Sequence, residues 1–200
     1  MIRTFEMTIG DGRTFLRQWL RAPLTVGAIA PSSETLARAM VTAASPLRGP
    51  VLELGAGTGV FTRALLRSGL SSTDLHVVEC VPEFAATLQL RFPKVDVIVA
   101  DAAELDRKRL PRPVDVVVSG LPLRAMRTNQ VERIVGNAFT CATDDARFVQ
   151  FSYGVRCPVP ATVRARLGIE ARRVAWVGWN LPPASVWVLR RATARHDGSD

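Results

Sequence analysis

The sequence predicts an α/β protein built on a mostly parallel sheet with helices on both faces. Two observations predict this class: short apolar runs alternate with helical patterns from residue 50 onward, and a glycine-rich turn joins the first such pair. The chain has 200 residues, of which 48% are hydrophobic. That length and that apolar content suit one domain with a sizeable core.

Seven segments are predicted as strands because they are short, apolar and rich in β-branched residues. The third and fourth are almost wholly apolar, which is typical of strands covered on both faces. The last two flank a proline-containing turn, so they form a hairpin that adds an antiparallel strand at or near the edge of the sheet. The strands cover residues 51–55, 74–80, 95–100, 114–120, 147–154, 171–179 and 185–192.

Helical patterns fill the connections between these strands. Gly69 closes the first helix and Pro82 opens the second, as expected for helix ends. Ser32 or Ser33 can cap a further helix that precedes the sheet. The predicted helices cover about residues 12–21, 34–44, 58–69, 82–92 and 129–142.

The predicted elements divide the chain into three regions. They are an N-terminal amphipathic helix with its connecting segment (1–30), one main α/β domain (31–195) and a disordered polar tail (196–200). In the N-terminal helix one face is apolar and aromatic, while arginines recur every four residues on a neighbouring stripe. The pattern is typical of a helix lying in a membrane interface, and equally of a surface helix docked on its own domain. The residues that would touch a membrane are Phe15, Arg17, Trp19 and Arg21.

The chain is strongly basic, with a formal net charge of +8 and a pI of about 10.8. Such a surface favours anionic partners, either nucleic acid or acidic lipid. All the positive side chains are arginines except Lys94 and Lys108, and genomic base composition alone would also explain that bias. Charge therefore limits the partner to two classes without choosing between them.

Cysteine usage and the N-terminus suggest a cytoplasmic protein. Cys80, Cys141 and Cys157 form no close pair, and neither histidine has metal-ligand spacing, so we expect free thiols and no metal. The first residues lack the apolar core of a secretory signal, and no apolar run is long enough to span a bilayer. Any membrane contact would then be peripheral, on the cytoplasmic face.

Chemistry-bearing residues gather at the predicted carboxyl ends of the first four strands, where open α/β sheets bind ligands. Gly55, Gly57 and Gly59 follow the first strand, Glu79 ends the second and Asp101 follows the third. Glycines let a backbone approach a ligand closely, and a carboxylate after the second strand can accept both hydroxyl hydrogens of a ribose. A purely structural turn is the alternative. The G-x-G-x-G spacing disfavours a nicotinamide dinucleotide, which prefers G-x-G-x-x-G.

This pattern resembles the Rossmann-like class I methyltransferases that use S-adenosylmethionine. The resemblance implies that Glu53 and the glycine turn surround the methionine part, that Glu79 holds the ribose, and that Asp101 with Ala102 faces the adenine. It also implies conversion of the cofactor to S-adenosylhomocysteine. The cofactor-binding residues predicted in this way are Ser33, Glu53, Gly55, Ala56, Gly57, Gly59, Glu79, Cys80, Asp101, Ala102 and Ser119.

Further segments resemble the short, soluble bacterial phospholipid N-methyltransferases, which methylate phosphatidylethanolamine toward phosphatidylcholine. They lie at residues 15–40, 51–66, 117–123, 148–160 and 180–191, within a resemblance that covers roughly 13–192. It implies that the N-terminal helix is a membrane anchor, that an anionic membrane and a phosphatidylethanolamine-type lipid are the partners, and that nucleic acid is not. Other amine lipids, such as an ornithine lipid, remain alternative substrates.

Ribosomal RNA adenine methyltransferases share the fold and are the competing interpretation, and a non-catalytic module that binds lipid is another. Base methylators carry an Asn-Leu-Pro-aromatic motif after the fourth strand, whereas this chain has Gly120 and Leu123 at its polar and aromatic positions. It therefore lacks an amide to hold a base and a ring to stack on it. We predict Ser119, Gly120 and Tyr153 as catalytic, and Leu123, Arg124, Tyr153, Arg156 and Trp179 as substrate-binding, although each has a plausible packing role.

Overall fold

A computed structural model describes residues 31–178 and 182–192. Its centre is a seven-stranded sheet in the order β3-β2-β1-β4-β5-β7-β6. Strands β1 to β5 are parallel to one another, whereas β7 runs antiparallel to both β5 and β6. The strands are β1 (Val51–Leu54), β2 (Leu75–Glu79), β3 (Asp96–Val99), β4 (Val114–Ser119), β5 (Ala142–Tyr153), β6 (Ile169–Val177) and β7 (Ala184–Arg191).

Helices cover both faces of the sheet and divide the core into two apolar clusters. One cluster joins the sheet to helices α1 to α3 through Met40, Leu65 and Leu88. The other joins it to α4 and α5 through residues such as Ile134 and Val163. In the described residues the helices are α1 (Pro31–Ala44), α2 (Val60–Arg67), α3 (Pro82–Arg91), α4 (Thr128–Thr140) and α5 (Ala161–Leu167).

Strand direction decides which residues meet at one edge. The parallel strands β1, β2 and β4 end at Leu54, Glu79 and Ser119. Strand β6 runs parallel to β5, because both are antiparallel to the β7 strand between them. The ends of β5 and β6 therefore lie at the same carboxyl edge as the glycine turn.

The structure differs from the sequence prediction in two strands. Strand β3 was expected to be covered on both faces, but it is an edge strand, and Asp96 and Val99 are exposed. Strand β5 begins at Ala142 rather than residue 147. The sequence prediction missed its first half because two exposed aspartates there break the apolar pattern. In both cases the neighbouring strand, rather than the strand's own hydrophobicity, fixes the pairing.

Helix α5 was not predicted, since its seven residues are too few to show a clear period. Its boundaries were nevertheless present in the sequence: Pro160 precedes it, and Gly168 ends it in the left-handed conformation with φ of 60°. The buried Val163 and the partly buried Leu167 dock the helix on the core. A proline and a glycine eight residues apart mark the two ends of this helix, although hydrophobic periodicity alone does not reveal it.

The predicted N-terminal helix, the predicted tail and Trp179 lie outside the described residues. Within the described residues, no helix combines the length and the apolar character needed to cross a bilayer. Within the described residues, Cys80, Cys141 and Cys157 form no disulfide.

Candidate cofactor and substrate site

The glycine turn between β1 and α2 has a backbone that only glycine adopts readily. Gly55, Gly57 and Gly59 have φ angles of 68°, 54° and 80°, all in the left-handed region. A Cβ atom on Gly55 would also lie 2.4 Å from the Leu121 side chain. The turn therefore needs glycine for conformation and for its close contact with the segment that follows β4.

Glu79 ties this turn to the start of α3. It is fully buried, and its two carboxylate oxygens accept the backbone N–H groups of Gly57 at 2.9 Å and Val81 at 2.8 Å. Burial raises the pKa of Glu79, and the N–H groups of Gly57 and Val81 oppose that rise. Backbone and side-chain hydrogen bonds from Cys80 oppose the rise as well, so this carboxylate holds three residues around the turn.

Glu53 is a second buried carboxyl group beside the turn. The Thr62 hydroxyl donates to its Oε2 at 2.7 Å, while Oε1 is buried without a hydrogen-bond partner in the described residues. Burial raises the pKa of Glu53 from 4.5 to about 7, against the lowering effect of Thr62. A buried acceptor without a partner is costly, and a cationic donor in a bound ligand would remove that cost.

A small pocket opens at the carboxyl ends of β1, β2 and β3. Four predicted cofactor residues line it: Gly55, Cys80, Asp101 and Ala102. Asp101 Oδ1 accepts the N–H of Ala103 at 2.8 Å, which orients the carboxylate. Sequence reasoning missed the other lining residues, which are Val78, Ala100, Leu121, Met126, Gln130 and Ile134. The last three recur every four residues, a spacing that could have identified them as one helix-like face.

Ser119 and Gly120, predicted as catalytic, are buried where β4 meets the glycine turn. The Leu121 N–H donates to Ser119 Oγ at 3.3 Å. A Cβ atom on Gly120 would lie 2.6 Å from the Gly55 carbonyl oxygen. Both residues shape the turn, and the Gly120 backbone leaves no room for a side chain.

Leu123, predicted to contact the substrate, is 2% exposed and packs in the core. It lies in a short 3-10 turn, which directs its side chain inward. The pocket instead meets Leu121, so the aliphatic wall belongs to the residue two positions earlier.

The structure brings together three predicted substrate residues beyond the pocket. Arg124 donates to the Tyr153 carbonyl at 3.4 Å, and Ser152 donates to the Arg156 carbonyl at 3.1 Å. The Tyr153 side chain is 41% exposed. Burial of its hydroxyl raises the pKa of Tyr153, so this group is a neutral phenol at neutral pH.

An aromatic row, defined here as Phe61, Phe151 and Tyr153, connects the glycine turn to solvent. The ring centroids of Phe61 and Phe151 are 6.0 Å apart, and those of Phe151 and Tyr153 are 5.4 Å apart, both edge to face. Phe61 approaches Gly120, since a Cβ there would lie 3.5 Å from its ring. Sequence reasoning missed Phe61, which comes only two residues after the glycine turn.

Two predicted cofactor residues, Ala56 and Ser33, are not among the described residues that line the pocket. Ala56 is buried in the glycine turn, and Ser33 lies in the first turn of α1, which begins at Pro31. Among the described residues, no group of three or more His, Cys, Asp or Glu side chains could hold a metal ion. The described site is therefore built from a glycine turn, buried carboxyl groups and an aromatic row.

Comparison with known proteins identifies the class of fold and the cofactor that goes with it. The family described as "Methyltransferase domain" matches residues 51–145. The TehB-like SAM-dependent methyltransferase of Corynebacterium glutamicum has a TM-score of 0.62 at 17% identity, covering 90% of this chain and 97% of that chain. The glycopeptide N-methyltransferase MtfA, solved with S-adenosylmethionine, has a TM-score of 0.63 at 14% identity, covering 80% of this chain and 94% of that chain. The protein therefore has the Rossmann-like fold of S-adenosylmethionine-dependent methyltransferases, which confirms the predicted fold and agrees with the predicted cofactor.

Two curated bacterial proteins are similar over part of the chain. The ornithine lipid N-methyltransferase of Singulisphaera acidiphila is 33% identical over 117 residues, which cover 54% of this chain and 60% of that protein. The ribosomal RNA small subunit methyltransferase A of Erythrobacter litoralis is 38% identical over 73 residues, which cover 36% of this chain and 26% of that protein. The chain thus spans less than two thirds of either relative, and the two relatives act on different kinds of substrate by name.

Proposed function

We propose that the protein transfers methyl groups from S-adenosylmethionine to the amine of a phosphatidylethanolamine-type lipid, toward phosphatidylcholine. The observation that carries the proposal is the aromatic row with Arg124 against its exposed end. An aromatic face attracts a methylated ammonium, and an arginine pairs with a phosphate in a fork geometry. A phospholipid headgroup carries both groups a few atoms apart.

The donor would lie across the glycine turn and the pocket. In this assignment Glu53 Oε1 accepts from the α-ammonium group, Glu79 accepts from the ribose hydroxyls, and Asp101 lies beside the adenine. The residues fit the cofactor because Glu53 offers an unpartnered acceptor and the left-handed glycine turn lies at the end of β1, where Gly55 lines the pocket. When bound, S-adenosylmethionine would supply a methyl group on its sulfonium sulfur for transfer to the amine nitrogen, and S-adenosylhomocysteine would be the leaving group.

Tyr153 would orient the amine rather than remove its proton as a strong base. Its pKa is raised from the ordinary value near 10, so the phenol is neutral and can accept one hydrogen bond through its oxygen. A lipid amine with a pKa near that of lysine, about 10.4, loses its proton to water before attack. Holding the nitrogen about 3 Å from the methyl carbon then supplies much of the rate.

An amine lipid of another kind and an RNA adenine are the two other substrates to test. The Singulisphaera relative is named for ornithine lipid, and the Erythrobacter relative for ribosomal RNA. The contact between Gly120 and the Gly55 carbonyl argues against RNA, because it leaves no space for an amide that would hold a base. The protein would work on the cytoplasmic face of a membrane, in peripheral contact with acidic lipid.

The test is methyl transfer from labelled S-adenosylmethionine by the full chain, with phosphatidylethanolamine vesicles, ornithine lipid vesicles and ribosomal RNA as parallel substrates. We expect label in phosphatidylethanolamine. Tyr153→Phe should keep most of the activity because the ring remains. Tyr153→Leu should lose roughly 2- to 30-fold in kcat/KM, the range expected for one cation–π contact. Label in RNA alone would reject the proposal.

A further inference from the structure

Gln150 is a fully buried polar side chain that has no part in the assigned cofactor or substrate contacts. It lies in β5, in register with Ser119 at the end of β4. Its Nε2 atom donates to two carbonyl oxygens, those of Leu121 and Phe151, each at 2.9 Å. A primary amide carries two N–H donors, so one nitrogen serves both carbonyls and holds them on either side of it.

The segment after β4 has no backbone N–H to offer to β5. The N–H of Gly120 donates back to β1 at 2.8 Å, and that of Leu121 donates to Ser119 Oγ at 3.3 Å. Pro122, the next residue, has no N–H. The Gln150 amide therefore supplies the donor that joins the two segments where their strand pairing ends.

Leu121 is the end of this link that faces the pocket. Its side chain lines the pocket and is the group that a Cβ on Gly55 would meet. Its carbonyl also accepts the Leu123 N–H at 2.9 Å, which closes an inverse γ-turn around Pro122 with φ of −81° and ψ of 62°. That turn sets the local shape of the segment, whereas the Gln150 amide ties the segment to β5.

Phe151 is the other end of the link and the middle ring of the aromatic row. Its ring centroid is 6.0 Å from that of Phe61 and 5.4 Å from that of Tyr153. Because its carbonyl accepts from Gln150, the backbone that carries the row is held by the nitrogen that also holds Leu121. The pocket and the aromatic row therefore share one buried link.

We infer that Gln150 is a positioning residue for methyl transfer, and that its amide sets the separation between the pocket and the aromatic row. The inference rests on the proposed function in one respect, that the aromatic row faces the methyl acceptor. Transfer needs the methyl carbon and the acceptor nitrogen about 3 Å apart and in line, and a displacement of about 1 Å can cost on the order of 100-fold in rate. A buried group that touches neither reactant can thus control the rate.

Gln150→Met is the first test. Methionine has a similar length, and it removes both N–H donors together with Oε1, which is buried without a hydrogen-bond partner in the described residues. The variant should therefore fold. With labelled S-adenosylmethionine and phosphatidylethanolamine vesicles, we expect kcat to fall about tenfold and the KM for S-adenosylmethionine to change less than about twofold, because the pocket residues themselves are unchanged.

Gln89→Met is the matched control. Gln89 Nε2 also donates to two carbonyls, those of Pro93 at 3.4 Å and Val95 at 3.5 Å, but it lies on α3, which packs on β2 and β3 away from the aromatic row. The same change there should leave kcat unaltered. Both variants are assayed below their thermal midpoints, measured by circular dichroism. An equal fall of kcat in the two variants would overturn the inference.

Gln150→Glu distinguishes a lost donor from altered packing. A neutral carboxyl group keeps one O–H donor, whereas a carboxylate has none and would face two carbonyl oxygens. Burial raises the pKa of a carboxyl group, so the neutral form gains population as pH falls. Activity relative to the unmodified protein at the same pH should therefore rise as pH falls from about 9 to about 6. A ratio that stays constant over this range would contradict the positioning role.

A measurement without lipid separates this inference from the proposed function. Tyr153 is the single tyrosine of the chain, so tyrosine labelled in its ring gives NMR signals from the aromatic row alone. Addition of S-adenosylhomocysteine should shift these signals in the unmodified protein and in Gln89→Met. The shift should be much smaller in Gln150→Met, although calorimetry should find a similar affinity.

The two proposals then fail in different ways. If no lipid is methylated but the shift of the Tyr153 signals depends on Gln150, the positioning role stands and the lipid substrate is rejected. If phosphatidylethanolamine is methylated while Gln150→Met keeps both its kcat and the full shift, the lipid substrate stands and the inference is overturned.

Discussion

Gly120 shows how one missing side chain can hold a site together. Its backbone lies where a Cβ atom would come within 2.6 Å of the Gly55 carbonyl oxygen. The sequence suggested that glycine here removes an amide that base methylators use. The structure adds a packing reason: the end of β4 and the glycine turn touch at this point, and any side chain would separate them.

Gly120→Ala should therefore weaken both folding and cofactor binding. The opposing atom belongs to the backbone and moves only with the turn, so we expect a loss of about 1–3 kcal/mol in the free energy of unfolding. Affinity for S-adenosylmethionine, measured by calorimetry, should fall as well. Gly136→Ala is the control. Gly136 lies inside α4, and a Cβ there would meet only the Leu167 side chain, at 3.5 Å. The gain in helix propensity should therefore make this variant neutral or more stable. Equal behaviour of the two variants would contradict this account.

Glu53 makes stability depend on pH in an uncommon direction. Its folded pKa of about 7 exceeds the value of 4.5 expected for the unfolded chain, so the folded protein binds the extra proton between these two pH values. Stability should therefore fall as pH rises from about 4.5 to 7, by about 3 kcal/mol for this group alone.

Glu53→Gln should abolish that dependence, because an amide does not titrate and can still accept from Thr62. The difference in unfolding free energy between variant and unmodified protein should increase from pH 5 to pH 7.5 in favour of the variant, as measured by urea unfolding without cofactor. A difference that stays constant over this range would show that Glu53 does not carry the proton.

At the scale of elements, Glu79 connects the glycine turn to helix α3. Its oxygens accept from Gly57 and Val81, so the end of β2 fixes the position of the two segments that flank the pocket. Sequence reasoning assigned this carboxylate to the ribose alone, because spacing does not show that two backbone donors converge on it.

Glu79→Gln should lose stability and cofactor affinity together. The new amide NH₂ would face a backbone N–H, leaving one buried donor without an acceptor, at a cost of about 1–3 kcal/mol. We expect a lower thermal midpoint and at least tenfold weaker binding of S-adenosylmethionine. Glu104→Gln is the control, since its side chain is exposed and its ion pair with Arg133 is long, at 4.0 Å. Normal affinity in Glu79→Gln would remove Glu79 from the cofactor site.

At the scale of the whole molecule, the net charge of +8 should appear as salt dependence of binding to acidic vesicles. The Debye length shrinks from about 10 Å at 0.1 M salt to about 3 Å at 1 M, so binding to acidic vesicles through exposed arginines should weaken steeply over this range. Cofactor binding relies on buried groups and should change much less. Parallel titrations of vesicles and of S-adenosylmethionine would check this contrast, and equal salt slopes would contradict it.

The sequence predicted most of the fold because its signals are local. Hydrophobic runs with β-branched residues located every strand, and the glycine turn identified the edge that carries the pocket. It missed the start of β5 and the helix α5, because paired aspartates and a seven-residue helix give weak periodicity. It also predicted that β3 is covered on both faces, because a strand's place in the sheet depends on its neighbours and not on its own residues alone.

By itself the sequence determined the class of site: a glycine turn, with carboxylates after the second and third strands and a Leu-Pro segment after the fourth. Tertiary structure decided which side chains meet. It placed Leu121 in the pocket and Leu123 in the core, joined Phe61 to Tyr153 through Phe151, and brought Arg124 to the same mouth. The physical reason is that side-chain direction depends on local backbone geometry and packing, whereas sequence spacing records only the order of residues along the chain.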